Sequence, residues 1–393
     1  MDNFLQFELV KLFDTWKKSR NNKYSNTDIQ VYHDYFREFY KKLRDLAPNI
    51  DSLDLTQKQF LRFSIEYFQN RINCLSNNTS TNAPYELTET LKAVASEWIP
   101  DIDKYIILTH FGDYSFSVFP KEDILFKTIE SDYGIADTQK RTILLSIPHR
   151  YYRDYLNNVV LFHEIGHFVD NTLSISERLL NFELLNNYQQ NGFIGDVTSH
   201  FRFLQTKEPT DIVDFKTSNV IDEETYSKML SYWKEYFADI FAASYVGNTL
   251  YRYLDYHTFP VKNSDIDCPF HPSNKLRAFV TDSFLSNRSN YVVDTIQNAL
   301  RAICGKQLPV FNNTIDASDI YKLLPLELKT DKDLYSLFAT AWDIWYGDRN
   351  EFTRQNNLAE DLNPSQLYSI LNNLIEKSIS NYLIQKKWNN VPK

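Results

Sequence analysis

"VVLFHEIGHFVD", Val159 to Asp170, carries two histidines four residues apart with a glutamate directly after the first. On a helix of 3.6 residues per turn, His163 and His167 lie about 40° apart on one face, so both imidazoles reach a single ion. Glu164 is turned about 100° from His163, which sets its carboxylate beside such an ion, free to polarise a bound water instead of ligating. Leu161, Ile165 and Phe168 form the adjoining apolar stripe that seats the helix in a core. This is the HExxH arrangement, in which Zn2+ lowers the pKa of a water and the glutamate takes its proton. The plainer reading is an apolar core helix with two hydrogen-bonded histidines.

A catalytic zinc of this kind needs a third protein ligand and one open position. Glu235, in "YWKEYFADIFAASY", is the best candidate, and Asp239 follows it by four residues on the same helical face. Such an aspartate can accept a hydrogen bond from a ligand histidine and fix its tautomer. Ala238, Ala242 and Ala243 are small enough for this helix to pack closely on the motif helix. The alternative is a solvated acidic pair at i,i+4. Against it stand Tyr236, Phe237, Ile240 and Phe241, neighbours among which an unpartnered charge is costly. A third segment, "CPFHPSNKLRAF", offers His271 and Arg277 as stabilisers of a tetrahedral oxyanion, or simply as a loop histidine and a surface arginine.

HEIGH, then Glu235-x-x-Ala-Asp239, then His-Pro-Ser…Arg together resemble the gluzincin metallopeptidases, especially the HtpX and CAAX-prenyl-protease group. The resemblance covers roughly Thr142 to Arg277, about a third of the chain. It implies a zincin-like core, Zn2+ as cofactor, and His163, His167 and Glu235 as its ligands. It further implies Glu164 as general base, Asp239 behind a ligand histidine, and His271 and Arg277 beside the cleft as catalytic residues. The spacing E-x-x-A-D-x-F-A-A is also similar to regulatory peptidases of the ImmA/IrrE type, whose glutamate follows the histidines sooner than the 68 positions separating Glu235 from His167. HtpX-type enzymes are embedded in membranes, and here no apolar run approaches the roughly 20 residues of a bilayer span.

Outside the motif the chain reads as mainly α with a small β-sheet, an α+β fold. With 8 Gly and 13 Pro in 393 residues there is little turn chemistry for an all-β protein. "FLQFELVKLFDTW", "IQVYHDYFREFYKKL" and "KQFLRFSIEYFQNRI" repeat apolar residues at helical spacing, and "ELTETLKAVASEWI" adds a further helix. "KYIILTHF", "YSFSVFP" and "RTILLSIP" are β-branched and aromatic runs of strand length. The last of them, directly before the motif helix, is expected as an edge strand on which an extended substrate could pair. Three parts follow: a helical region over 1–100, a metallopeptidase core over 101–284, and a helical region over 285–393.

Hydrophobic residues at 43% and charged residues at 24% fit a soluble globular protein. A net charge of −9 argues against a general nucleic-acid surface. The N-terminus lacks a basic segment followed by an apolar run, so no signal peptide is read. Cys74, Cys268 and Cys304 lack CxxC spacing and suit reduced thiols in the cytoplasm. The expectation is a soluble zinc-dependent endopeptidase acting on protein or peptide substrates. The competing expectations are a binding or scaffold protein with a vestigial or structural zinc, or a hydrolase of another amide. Nothing in the sequence speaks to oligomeric state.

Overall fold

The computed structural model describes all residues except 1, 81, 83, 113–116, 122–123, 136–139, 187–194, 207–222, 259–264, 269, 311–314, 348 and 390–393. Residues 187–194 and 207–222 of the 174–225 stretch, for which the sequence gives no clear pattern, therefore lie outside the described residues. The chain is mainly helical with one small sheet, and it gathers into two compact units. The first comprises Met1–Lys92 and Pro100–Tyr152, and the second Ala93–Ile99 and Arg153–Lys393. Packing thus groups the strands with the N-terminal helices and the 285–393 helices with the motif helix, a two-fold division where the sequence suggests three parts.

The first unit starts with α1 (Asp2–Ser19), α2 (Thr27–Leu46) and α3 (Leu55–Asn77), and the last two begin where capping side chains sit. Asn26 accepts from the Asp28 backbone N–H, and Asp54 and Gln57 form a reciprocal capping box, satisfying donors the first helical turn leaves free. The apolar positions read from the sequence line the core: Leu5, Leu9 and Leu12 of α1, Phe36, Phe39 and Leu43 of α2, Leu61, Ile65 and Phe68 of α3. Trp16 stacks between His33 and Tyr40, each ring centre 5.1 Å away. The helix α4 (Tyr85–Ser96) follows, then β1 (Tyr105–Gly112), β2 (Ser117–Lys121), α5 (Ile124–Tyr133) and β3 (Arg141–Pro148).

The sheet order is β1-β3-β2, with β1 parallel and β2 antiparallel to β3. This corrects one expectation: "RTILLSIP" is the central strand. Its backbone is paired along its whole length to β1 and from Thr142 to Ser146 to β2, so it offers no free edge for a substrate.

In the second unit, α6 (Leu161–Leu173) is the HExxH helix, followed by α7 (Ile175–Asn186), the short α8 (Asp196–His200), α9 (Glu223–Val246) and α10 (Thr249–Thr258). Then come α11 (Asn274–Leu285), α12 (Tyr291–Cys304), α13 (Ser318–Tyr321), α14 (Asp331–Tyr346), α15 (Asn350–Asn356) and α16 (Pro364–Asn389). The centre is α9, which packs on α6, α7, α11 and α14 and is buried at every residue from Glu235 to Val246. A helix apolar on all sides belongs at the middle of such a bundle.

Polar contacts fix the elements around it. Glu97 accepts from Tyr245 and Tyr335, both at 2.9 Å, while Trp98 donates to the Tyr245 hydroxyl. The C-terminal helices hold the approach to α6: the Trp342 indole donates to the Leu156 carbonyl at 3.0 Å, Tyr368 donates to Asp154, and Arg153 pairs with Glu376.

In the first unit the corresponding joint is Asn78, buried at the end of α3. Its amide donates to the Cys74 and Thr109 carbonyls, and its oxygen accepts from the Thr109 N–H and hydroxyl, all within 2.9 Å. Replacing it by alanine would leave a buried strand N–H without a partner. Asn78→Ala is therefore expected to lower unfolding stability by about 2–3 kcal/mol, measured as a reduced urea midpoint by circular dichroism.

Candidate metal centre

The residues HEIGH form α6 with a glycine in its interior, which costs about 0.5–1 kcal/mol relative to alanine. The structure supplies the reason. A Cβ on Gly166 would stand 2.9 Å from the Ala238 Cα and 3.2 Å from the Phe241 Cβ, so α6 and α9 touch nearly backbone to backbone. Ala238, one of the small residues singled out in the sequence, takes the facing position. This proximity lets short side chains from both helices meet.

His163, His167 and Glu235 converge, each offering a ligand atom within 4.8 Å of the others. The His167 Nε2 lies 3.3 Å from Glu235 Oε1, and the His163 Nε2 lies 3.6 Å from Glu235 Oε2. Ligand atoms placed tetrahedrally about 2.0–2.1 Å from one zinc stand roughly 3.3–3.4 Å apart, so these separations fit a shared ion. The two imidazole rings are nearly perpendicular, with centres 4.5 Å apart, and so approach a common point from different directions. The donor set of two neutral nitrogens and one carboxylate oxygen suits a divalent transition metal.

The remaining predicted residues gather around these three. Asp239 is 1% exposed and its Oδ1 lies 2.9 Å from the His163 Nδ1. That contact is close but poorly aligned for a hydrogen bond, and no other group pairs with this nitrogen among the described residues. Arg277, on α11, donates through Nε and Nη2 to both Asp239 oxygens at 2.7 Å and stands 3.4 Å from Glu235. Two of its donors are thereby engaged with the buried acid. His271, in the loop before α11, has Nδ1 3.1 Å from Glu235 Oε2, and its side chain is 54% exposed. Glu235, at 7% exposure, and Asp239 are thus no solvated acidic pair.

The charges follow this packing. Burial pushes the Glu235 carboxyl up, but hydrogen bonds from His167 and His271 and the charges of His163 and Arg277 outweigh it and hold the group well below the usual carboxylate range. Burial acts the same way on Asp239, and Arg277 overcomes it, keeping that group ionised as well. For His163, burial favours the neutral ring, yet Asp239 and Glu235 prevail and raise its pKa. Two buried carboxylates against one guanidinium leave a site that draws positive charge. Glu164 differs. It is half-buried, burial raises its pKa against the pull of His163 and His167, and no hydrogen bond holds it among the described residues.

Sequence reasoning missed the devices that hold His271. Ser273 caps α11, the Asp267 carboxylate accepts from the Ser273 N–H at 2.9 Å, and Tyr232 donates to the Cys268 carbonyl at 3.0 Å. The serine before a helical run was a readable signal; the other two connect distant segments. It also missed Gly166, whose meaning depends on what lies opposite.

Compared with protein-family models, with curated proteins and with solved structures, the chain matches none. No helix among the described residues is long and apolar enough to cross a membrane.

The helix contact is open to test. Gly166→Ala must drive α6 and α9 apart, an overpacking cost of about 1–3 kcal/mol. The variant is expected to show a lower unfolding midpoint and weaker metal retention on dialysis against a chelator. Unchanged values in both would remove the close approach from its role.

Proposed function

We propose that the chain is a zinc-dependent hydrolase that cleaves peptide bonds. The observation that carries this reading is the convergence of His163, His167 and Glu235 beside a Glu164 that is not among them. Three protein ligands plus an uncommitted glutamate on the helix of the two histidines suit a catalytic ion with an open position; a structural zinc closes its shell with a fourth protein ligand. His271 is the nearest fourth candidate, but it contacts Glu235 and does not belong to the converging group. The resemblance to gluzincins favours the same assignment. Zn2+, when bound, would supply the Lewis acidity that activates a water and polarises the scissile carbonyl.

The chain's own residues then divide the work. Glu164, partly desolvated and without a competing hydrogen bond among the described residues, accepts the proton of the attacking water and passes it to the leaving amine. The Asp239 carboxylate, 2.9 Å from the His163 Nδ1, favours a proton on that nitrogen and leaves Nε2 for the site. Arg277 serves by neutralising Asp239 and Glu235, which makes it a positioning residue and not the oxyanion donor expected from its sequence context. His271, exposed at the rim, is the side chain placed to meet an oxyanion. A non-peptide amide would be cleaved by the same groups. Peptide is preferred because the gluzincin resemblance points there. A cytoplasmic location belongs to the same proposal and rests on the cysteine usage alone.

Purified from a zinc-replete host, the protein is expected to hold about one zinc per chain, read by inductively coupled plasma mass spectrometry. Glu164→Gln should keep that zinc and lose peptide hydrolysis by at least about 100-fold, assayed on a mixed peptide library. Turnover equal to wild type would take the proton-transfer role away from Glu164, and a metal-free protein would remove the zinc.

A further inference from the structure

The first unit carries a basin that plays no part in the proposed hydrolysis. Its volume is about 670 Å3, inside the roughly 300–1,000 Å3 common among small-molecule sites. The lining is Lys18, Lys23, four asparagines and four serine or threonine hydroxyls. Among the described residues it contains no carboxylate and no apolar side chain. Neither lysine forms an ion pair with a carboxylate among the described residues, although the chain as a whole carries a net charge of −9.

The walls are fixed before any ligand arrives. The Asn22 amide donates to the Ser76 hydroxyl at 3.3 Å, and that hydroxyl donates to the Ile72 carbonyl at 2.9 Å. The Asn82 amide donates to the Ser76 carbonyl, and the Ser80 N–H donates to the Lys23 carbonyl at 3.0 Å. Buried Asn78, clamped to Thr109 of β1, anchors the loop below them. A preformed site spares a ligand most of the ordering cost.

Lys18 alone has an ordinary explanation, since a lysine in the last turn of α1 complements the negative end of the helix. That explanation does not reach Lys23, which lies beyond the helix, or the carboxylate-free wall of amides and hydroxyls. The lining's amides and hydroxyls donate and accept hydrogen bonds, while the two ammonium groups attract an anion. Hydroxyl-rich and anionic chemistry in one molecule satisfies both. A nucleobase would want an apolar or aromatic side chain to stack on, and the described lining has none.

We propose that this basin binds a phosphorylated sugar, with Lys18 and Lys23 on the phosphate and the asparagine amides and hydroxyls on the sugar hydroxyls. The test is calorimetry on the full chain with glucose 6-phosphate, ribose 5-phosphate, glucose and inorganic phosphate, for wild type and for Lys18→Gln/Lys23→Gln. At least one sugar phosphate is expected to bind about tenfold or more tighter than both glucose and phosphate, and the double variant to lose about tenfold or more of that affinity. Both lysines are exposed, so the variant should keep its circular dichroism spectrum and its metal content. Sugar phosphate binding no tighter than phosphate would mean a patch for any anion and overturn the proposal. So would the absence of binding by every probe up to about 10 mM, or full affinity in the double variant.

Discussion

The contact between Gly166 and Ala238 sets the geometry on which the candidate metal centre depends. Both helices use the same pattern around it. On α6 the residues at i, i+3 and i+4 are His163, Gly166 and His167; on α9 they are Glu235, Ala238 and Asp239. In each case a small residue sits between two polar ones on a single face. His167 meets Glu235, while His163, a turn earlier, meets Asp239, a turn later, so the two helices run in opposite senses across the contact. Larger residues at either small position would separate the backbones, and a carboxylate as short as glutamate could no longer span to both imidazoles.

Bringing these groups together incurs a desolvation cost, and Arg277 offsets part of it. Its paired donation to Asp239 is the strongest hydrogen-bond geometry available to a carboxylate. Without it, two buried acids would face each other across one turn of α9. The arginine comes from α11, whose start is set by the Ser273 cap, so an ordinary capping residue helps to place a charge in the centre of the unit. The same logic explains the helices after residue 285. Through Trp342, Tyr368 and Glu376 they grip residues 153–157 ahead of α6, and this fixes where the HExxH helix begins.

What could be read in the sequence was local. The limits of β3 at Arg141 and Pro148 coincide with "RTILLSIP", and the three N-terminal amphipathic helices lie where their apolar spacing put them. The i,i+4 pairs of both motifs state which side chains share a face, and their convergence needed only the extra signal of the small residues. Relations between distant segments were not legible. Nothing in "RTILLSIP" tells a central strand from an edge strand, because alternation marks the faces of a strand and not its neighbours. Arg277 could not be told from a surface arginine, since its partner lies 38 positions away. Glu97, held by Tyr245 and Tyr335, looked like a polar residue at the end of a helix.

The burial of the centre is uneven, and the unevenness bears on its chemistry. Asp239 and His163 are almost fully enclosed, at 1% and 6% exposure. The side chain of His167 is 21% exposed and that of His271 54%. Polarity and solvent access therefore rise from the α9 side toward the loop before α11. Desolvated groups at the back hold the candidate ligands in place; in the proposed reaction a shift of about 1 Å would be costly. The more open side is the one where Glu164 is half-buried and His271 stands, the place where water and a substrate carbonyl would enter in the proposed reaction. A site serving only to staple two helices gains nothing from such an opening, because water there competes for the ion. This graded enclosure agrees with the proposed hydrolysis, which needs a dry support behind the candidate ligands and a wet face beside the proposed base.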